Sequence, residues 1–561
     1  MKNMKTCLIT ISMLPLFAAC NFAPHYDAPK TNVQPTFKEA IPATGANQGW
    51  KLAEPQDTAI PANWWEVYGD RKLDELESRV AISNQTVAAA EANYRVARAL
   101  VAQAQAAFFP TLSLDPSVNR SRTSSSIANL GAGSSTSGSP GAAAPSVTSP
   151  VAHTIYTVPV EASYQVDLWG SVRNSVAQSR YAAQASAAQV VTALLSTQST
   201  LAQDYFQLRA LDEQRRILDA TLADYEANIH LIEALMHSGI DSNEDLSGAQ
   251  NQLYTAQAQA TDLGVARAQY EHAIAVLIGV PPATFSLDPE PYDPALPTVP
   301  VSVPSELLER RADIAAAERQ VAASNAQIGI ARAAFFPTLT LAATGGYEAS
   351  SLSPLFDWPN RFWSIGPELA QTLFDAGLRR AAVAQAHALN DAAAANYRQT
   401  VLVAFQSVED NLASLRVLSK ELGERHNATV AGQRTVELSV VRYRNGVDSY
   451  LNVITAQNTF LASREAELQV QLEQQIASVN LIDNLGGGWT TSDWARTERL
   501  TGEAAAAAKR SQAPAAEVGA DGSMPGIPNP PAMKLPDIRP EDLIKQNAEA
   551  MAPTPPADDQ K

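Results

Sequence analysis

AAFFPTLSL at Ala106–Leu114 and AAFFPTLTL at Ala333–Leu341 differ at one position in nine. A near-copy of that length within one chain points to an internal duplication, which requires further matches at a similar spacing. WGSVRNSVAQ (Trp169–Gln178) answers AGLRRAAVAQ (Ala376–Gln385), and HSGIDSNEDLSGAQN (His237–Asn251) answers YRNGVDSYLNVITAQN (Tyr443–Asn458). Gly170 and Gly377 are 207 residues apart, as are Gly239 and Gly446, whereas Ala106 and Ala333 are 227 apart. The first copy therefore carries 20 extra residues between Leu114 and Gly170. They fall in the Ser/Gly/Ala/Pro tract Ser121–Pro150, a composition that can bury no core and reads as a loop.

A chain of 561 residues could hold several domains, but the duplication argues for one body built from two similar halves. Only 18% of residues are charged and the net charge is −17, a sign that argues against a nucleic-acid partner. The first twenty residues, MKNMKTCLITISMLPLFAAC, combine two lysines, an apolar run from Leu8 to Phe17 and small residues before Cys20. This is a secretory signal, too short to span as a permanent helix, and cleavage before Cys20 makes that cysteine the lipidated first residue of a bacterial lipoprotein. Cys7 leaves with the signal, so no internal disulfide is possible.

Two periodicities alternate along each copy. In TVPVEASYQVDL (Thr157–Leu168) the residues Val158, Val160, Ala162, Tyr164 and Val166 alternate with Thr157, Glu161, Ser163 and Gln165, a period of two over the length of a tilted membrane strand. FFPTLTLAATGGY and FWSIGPELAQTLF repeat the pattern, with Glu161 and Glu368 expected on an interior face and Trp363 at a membrane interface. Between the strands the period becomes seven: Val401, Val408, Leu415, Leu422, Val436 and Tyr443 in the second copy, Leu211, Leu218, Tyr225 and Ile232 in the first. Each long helix fills the 69 residues from one motif glycine to the next, roughly 100 Å. Ser242–Ile278, Ser449–Leu485, Arg71–Phe109 and a helix capped by Ser305 and stopped by Pro337 are the shorter helices that lie alongside. The domain boundaries that follow are 1–19 signal, 20–69 lipid-anchored extension, 70–279 first repeat, 280–304 Pro-rich linker, 305–489 second repeat and 490–561 Ala/Pro-rich tail. Four strands cannot close a barrel with a lumen, so strands in a membrane must be pooled among chains.

The ordered set of stretches resembles the TolC-type outer-membrane efflux channels, in their lipoprotein branch. It comprises the signal with Cys20, WWEVYGDRKLDELESRVAISNQTVAAAEANYRVARA, the paired AFFPTL motifs, YQVDLWG, LFDAGLRR, LLERRADIAAAE, RYRNGVDSYLNVITAQN and LGGGW, over roughly residues 20–489. The resemblance implies a mixed α and β membrane protein. Three chains share a 12-stranded outer-membrane β-barrel, four strands each, continued by a long periplasmic α-helical barrel of antiparallel coiled-coil helices. It also implies the exit duct of a tripartite efflux pump, with a periplasmic adaptor and an inner-membrane transporter as partners and the outer membrane of a Gram-negative bacterium as location. Ala312 stands where that family usually has proline. The helical turns farthest from the strands, with His237, Gly239, Asp241 and Ser242 in one copy and Arg444, Gly446, Asp448 and Ser449 in the other, are the expected adaptor-docking tips. Glu244, Asp245 and Tyr443 are candidates for the pore or gate there, because threefold carboxylate rings at a constriction favour cations. The bland reading of the two acids is that they solvate an outer face or favour a helix N-terminus.

No phosphate loop, nucleophile elbow or zinc spacing occurs, so neither a cofactor nor an enzymatic activity is expected. Glu226, His230, Glu233 and His237 share a helical face, a pattern that solvated helices also carry. The alternatives are a channel for type I protein secretion and a lipid-anchored periplasmic coiled-coil protein, the latter needing helices but no strands. Replacing Cys20 by Ala is expected to abolish metabolic labelling with a fatty acid; undiminished labelling of the variant would refute the anchor.

Overall fold

The computed structural model describes residues 21–30, 37–39, 63–122, 152–292, 296–297 and 311–487. The signal, Cys20, Ser305, the tract between Thr123 and Pro150 and the tail after Gly487 lie outside the described residues.

A short 3-10 turn at Trp64–Tyr68 leads into α1 (Arg71–Ser83) and α2 (Gln85–Ala106). Then come β1 (Thr111–Leu114), β2 (Ser117–Ser121) and β3 (His153–Val166), and the antiparallel pair α3 (Ser171–His237) and α4 (Asn243–Leu277). The second copy runs α5 (Ala312–Ala333), β4 (Thr338–Ala349), β5 (Arg361–Ala370), α6 (Leu378–Arg444) and α7 (Tyr450–Asn484). The two long helices each have 67 residues and their returning partners each have 35, so the duplication is one of shape. At 1.5 Å per residue the long pair measures roughly 100 Å.

The region expected as one helix over Arg71–Phe109 is two, broken at Asn84. The Asn84 carboxamide oxygen accepts from the backbone N–H of Thr86 and Val87, capping α2, and its amide donates to the Leu277 carbonyl at 2.7 Å. A short polar side chain that offers the backbone an alternative partner ends one helix and starts the next. The second-copy helix has Ala312 as its first residue, a position where proline and alanine are both tolerated because the N–H is unpaired there anyway. Each strand motif is approached in the same way: α2 ends at Ala106 and α5 at Ala333, a tight turn follows, and Pro110 or Pro337 prevents the helix from resuming.

The strands form one antiparallel sheet, with β1 and β2 both on β3, then β4, then β5. The first strand of the first hairpin is interrupted without loss of register, since Leu114 pairs with Val160 and Ser117 with Thr157. Pro116 and Pro159 lie at the gap, and neither has an N–H to give the ladder. Tyr164, Leu341 and Pro367 fall on one face with Val160, Gly345 and Trp363, while Glu161, Thr344 and Ser364 fall on the other with Gln165, Thr340 and Glu368. One face is thus apolar and the other polar, as the alternation requires. β5 ends at Ala370, four residues short of the expected Phe374.

Around the helices, α3 packs on α2 and α4 along one flank and on α5 and α7 along the other, and α6 packs on α5 and α7. Most heptad residues are buried, among them Leu211, Leu218, Tyr225, Ile232, Val401, Val408, Leu415 and Tyr443, while Leu422 and Val436 are half-buried. The main core lies midway along the long helices, where Trp64, Leu73, Leu76 and Val80 meet Leu201, Tyr205 and Leu208 of α3 and Val479 and Leu481 of α7. Beside it Arg209 and Arg267 clasp the linker: Arg209 donates to the Asp288 carbonyl and the Glu290 carboxylate, and Arg267 to the Leu287 carbonyl, with Asp212 accepting from both arginines.

The segment after Cys20 packs on both copies, chiefly the second, with Asn21 accepting from Asn174 and Tyr26 near Tyr181 of α3. Phe22 stacks on Phe336 at 4.3 Å, and Phe336 on Trp169 at 4.9 Å, at the helix-to-strand junction. Asn325 donates to the Pro24 carbonyl, Tyr26 to Glu318, and Glu409 accepts from the backbone of Lys38 and Glu39.

Glu77 of α1 is fully buried and neither carboxyl oxygen has a hydrogen-bonding partner among the described residues. Burial lifts its pKa to about 9, so it is neutral at pH 7. Because the folded value lies above the unfolded value near 4.3, its contribution is complete below about pH 4 and is lost as pH rises through about 9. Glu77→Gln should therefore match the native protein in thermal midpoint at pH 5 and exceed it at pH 9, by a few kcal/mol in unfolding free energy. Parallel curves from pH 5 to 9 would show that the group ionises freely.

Candidate functional site: the helical tips

Both long helices end in the same turn. Gly239 and Gly446 adopt positive φ, 76° and 68°. The Gly239 N–H donates to the Met236 carbonyl and the Ile240 N–H to Leu235, while Gly446 donates to Tyr443 and Val447 to Arg442. This is the left-handed closure that satisfies otherwise orphaned carbonyls, and it needs glycine because a Cβ is disfavoured at that φ. Ser242 then caps α4, accepting from the Asp245 N–H at 3.2 Å and donating to its carboxylate at 2.7 Å. Ser449 occupies the equivalent position before α7 without a side-chain cap bond.

The two tips touch through a hydrophobic cluster of Ile229, Ile232, Ala249, Tyr443, Tyr450 and Val453, in which the Tyr443 and Tyr450 rings lie 5.2 Å apart. On this cluster sits the one polar bridge between the copies at the turns among the described residues: the Tyr443 hydroxyl donates to the Asp241 carboxylate. Burial first, then the bond to Asp241 and the nearby charges of Asp241 and Asp245, hold the Tyr443 hydroxyl well above its ordinary range, so it stays a donor throughout physiological pH. Tyr450 is pushed up to about 12, chiefly by burial. Within the second turn Arg442 forms an ion pair with Asp448, and that hydrogen bond holds the Asp448 carboxyl below its usual range.

The structure brings Asp241 and Tyr443 together and assigns Asp245 to the cap of its own helix, which is the bland reading for that acid. Glu244 is exposed on the first turn of α4. Arg444, His237 and Ser449 are exposed, and Arg444 makes no hydrogen bond or ion pair with the described residues. Glu226, His230, Glu233 and His237 all lie on an exposed face; His230 and Glu233 approach at 3.4 Å, and no group of three metal-ligating side chains gathers among the described residues. Sequence reasoning missed Arg442 and Tyr450. Their signal was positional: Arg442 is six residues from Asp448 across the turn, and Tyr450 follows the capping serine of the second copy.

A family model described as outer membrane efflux protein matches residues 76–280 and 303–487. The solvent efflux pump outer membrane protein SrpC of Pseudomonas putida is 30% identical over 488 residues, covering 85% of this chain and 98% of that one. The pyoverdine export outer membrane protein OpmQ of Pseudomonas aeruginosa is 32% identical over 437 residues, covering 77% and 89%. The solved outer-membrane channel OprN superposes with a TM-score of 0.74 at 28% identity, covering 84% of this chain and all of that one. The fold is that of an outer-membrane efflux channel. The chain belongs to the outer membrane efflux protein family, is located in the outer membrane of a Gram-negative bacterium, and is a channel rather than an enzyme. No described helix is long and apolar enough to cross a membrane.

Removing one hydrogen bond to a charged acceptor costs about 1.5–3 kcal/mol, a ten- to hundredfold change in a two-state population. Tyr443→Phe keeps the ring packing and removes only the bond to Asp241. It should increase amide hydrogen exchange at the two turns by about that factor while leaving the exchange of α3 and α6 midway along their length unchanged. Unaltered exchange at the turns would mean that the bond holds nothing.

Proposed function

We propose that three copies of this chain close a 12-stranded barrel in the outer membrane and continue it as a helical tube into the periplasm. The tube is the exit duct through which a tripartite pump, with its periplasmic adaptor and inner-membrane transporter, expels small molecules. The observation that carries the reading is the sheet with two open edges. β1 with β2 at one end and β5 at the other have no partner on their outer side among the described residues. Lipid offers no hydrogen bonds, so such edges need strands from another copy. The helical layer supports the same closure, since α6 leaves Leu402, Val417, Val430 and Val441 exposed and α4 leaves Tyr254, Val265 and Val276 exposed. Apolar flanks at opposite ends of one layer fit a ring, in which each meets the other on the next copy. The coiled-coil alternative without strands is overturned by the sheet.

In this reading Cys20 carries the lipid, and the stack of Phe22 on Phe336 supports it by fixing the start of the mature chain beside the helix-to-strand junction. The turns at His237–Ser242 and Arg444–Ser449 are the docking surface for the adaptor. The Tyr443–Asp241 bond acts as a latch on the periplasmic end, and Glu244 is the acid left to face the lumen there. Electron microscopy of detergent-purified particles should show a tapered tube with threefold symmetry. Substituting Gly239 or Gly446 with a bulky residue, or reversing the charge at Arg444, should reduce efflux at least about tenfold with trimers at native abundance. Full efflux from all three variants would refute docking at the tips, and a particle without threefold symmetry would refute the duct.

A further inference from the structure

The apolar face of the sheet carries two arginines. Arg361 pairs across the ladder with Tyr347, which pairs with Val158, and Arg120 pairs with Thr154, two residues from the Val118–Tyr156 pair. Both side chains therefore share the face of Tyr164, Leu341 and Trp363, the face that meets lipid, rather than the face of Glu161 and Glu368. Each also stands eight residues from an apolar residue near the helix end of its own strand line, Arg361 from Leu369 and Arg120 from Leu112. Eight residues at about 3.3 Å, tilted by about 40°, rise about 20 Å. An arginine stem adds several ångströms, which sets both guanidinium groups at the outer rim of an apolar band about 25 Å tall. The arginines thus reach the headgroup layer on the side away from the periplasmic helices.

Neither is neutralised. Arg120 is exposed and makes no hydrogen bond or ion pair with the described residues. Arg361 lies flat over the exposed Trp358 ring at 3.6 Å, with no carboxylate in contact. Stacking fixes the guanidinium plane and leaves its N–H edge free, a geometry suited to bidentate contact with phosphate. The loop Ser350–Asn360 contains one acid, Asp357, and Glu348 points to the opposite face with Thr157. In a chain of net charge −17, two uncompensated cations at one level on the lipid-facing surface need a counter-charge from outside the protein. The outer leaflet of this membrane supplies one, because its glycolipid carries phosphates on a disaccharide headgroup.

We propose that Arg120 and Arg361, with Trp358 and Trp363 beside Arg361, bind the phosphorylated glycolipid headgroups of the outer leaflet. Phosphate oxygens take the guanidinium N–H groups, and the two indoles occupy the boundary between headgroup and acyl chain. The surface rests on the outer-membrane orientation of the channel, so its test must read lipid binding apart from conduction.

The full-length channel, purified and delipidated in detergent, is offered bis-phosphorylated lipid A, dephosphorylated lipid A or phosphatidylglycerol, and bound lipid is counted by native mass spectrometry. The native protein should retain bis-phosphorylated lipid A at least about tenfold better than the dephosphorylated form, and R120Q/R361Q should lose that preference. Equal retention of the two lipid A forms by the native protein overturns the proposal, and so does an unchanged preference in the double variant. Retention of phosphatidylglycerol as strong as that of lipid A overturns the glycolipid assignment in favour of any anionic lipid. If the double variant does not assemble, the native protein's choice among the three lipids decides alone. Conductance in planar bilayers is recorded in parallel: a conducting channel with no lipid preference sinks the rim and spares the duct, whereas a native protein that does not conduct strikes at the duct itself.

Discussion

A strand in hydrocarbon must have every backbone N–H and C=O paired, and most of this architecture follows from that requirement. One chain supplies a sheet whose edges have no partner among the described residues, and in the proposed assembly copies complete the barrel, so its symmetry is set by hydrogen bonding before any side chain is consulted. The helices inherit the arrangement. β1, β3, β4 and β5 are joined to helices at Pro110, Gly170, Pro337 and Gly377, so in the proposed assembly the positions of strands around the ring become the positions of helices around the tube. In that proposed ring the duplicated unit is the repeat, cut from the same pattern as the ring's own symmetry.

Equal length is the second constraint. Two helices of 67 residues can share one tip only if their turns lie at the same depth, and the Gly239 and Gly446 turns do, packing Tyr443 and Tyr450 against Ile232 and Ala249. The linker between copies would otherwise be free to slide along this layer. The buried Arg209–Asp212–Arg267 group ties its backbone carbonyls to α3 and α4, which fixes where the second copy can begin.

What the sequence made legible was everything governed by period and spacing. The alternation in Thr157–Leu168 located β3 and its two faces, and the sevenfold series located the buried seam of α6 down to Tyr443. Thr429, where the apolar series lapses, is half-buried on that same seam. What stayed hidden depends on partners far away in sequence. Asn84 is a capping residue type, but the break is held there also by the hydrogen bond from its amide to the distant Leu277 carbonyl, which no local signal marks. The gap between β1 and β2 is set as much by Pro159 on the neighbouring strand as by Pro116. At the tips, the residue types were visible but not their pairing: Asp245 belongs to its own helix, and Asp241, the less conspicuous acid, crosses to Tyr443. Glu77 offered no signal at all, since an acid among exposed-looking charges in RKLDELESRV reads as solvated.

The strap formed by Asn21–Lys30 and Phe37–Glu39 has a temporal meaning. Its partners Asn325, Glu318, Phe336, Glu409 and Arg416 lie about 300 to 380 residues downstream, while Asn174, Trp169 and Tyr181 of the first copy lie about 150 residues on. The segment can therefore touch α3 once the first copy has formed, but most of its hydrogen bonds wait for the helices of the second. Closing so long a loop costs only logarithmically more than closing a short one, so the delay is one of order and not of affinity. A chain interrupted before α5 would leave its amino terminus held only at α3 and Trp169, and full seating of the strap is a late event that reports completion of the whole polypeptide.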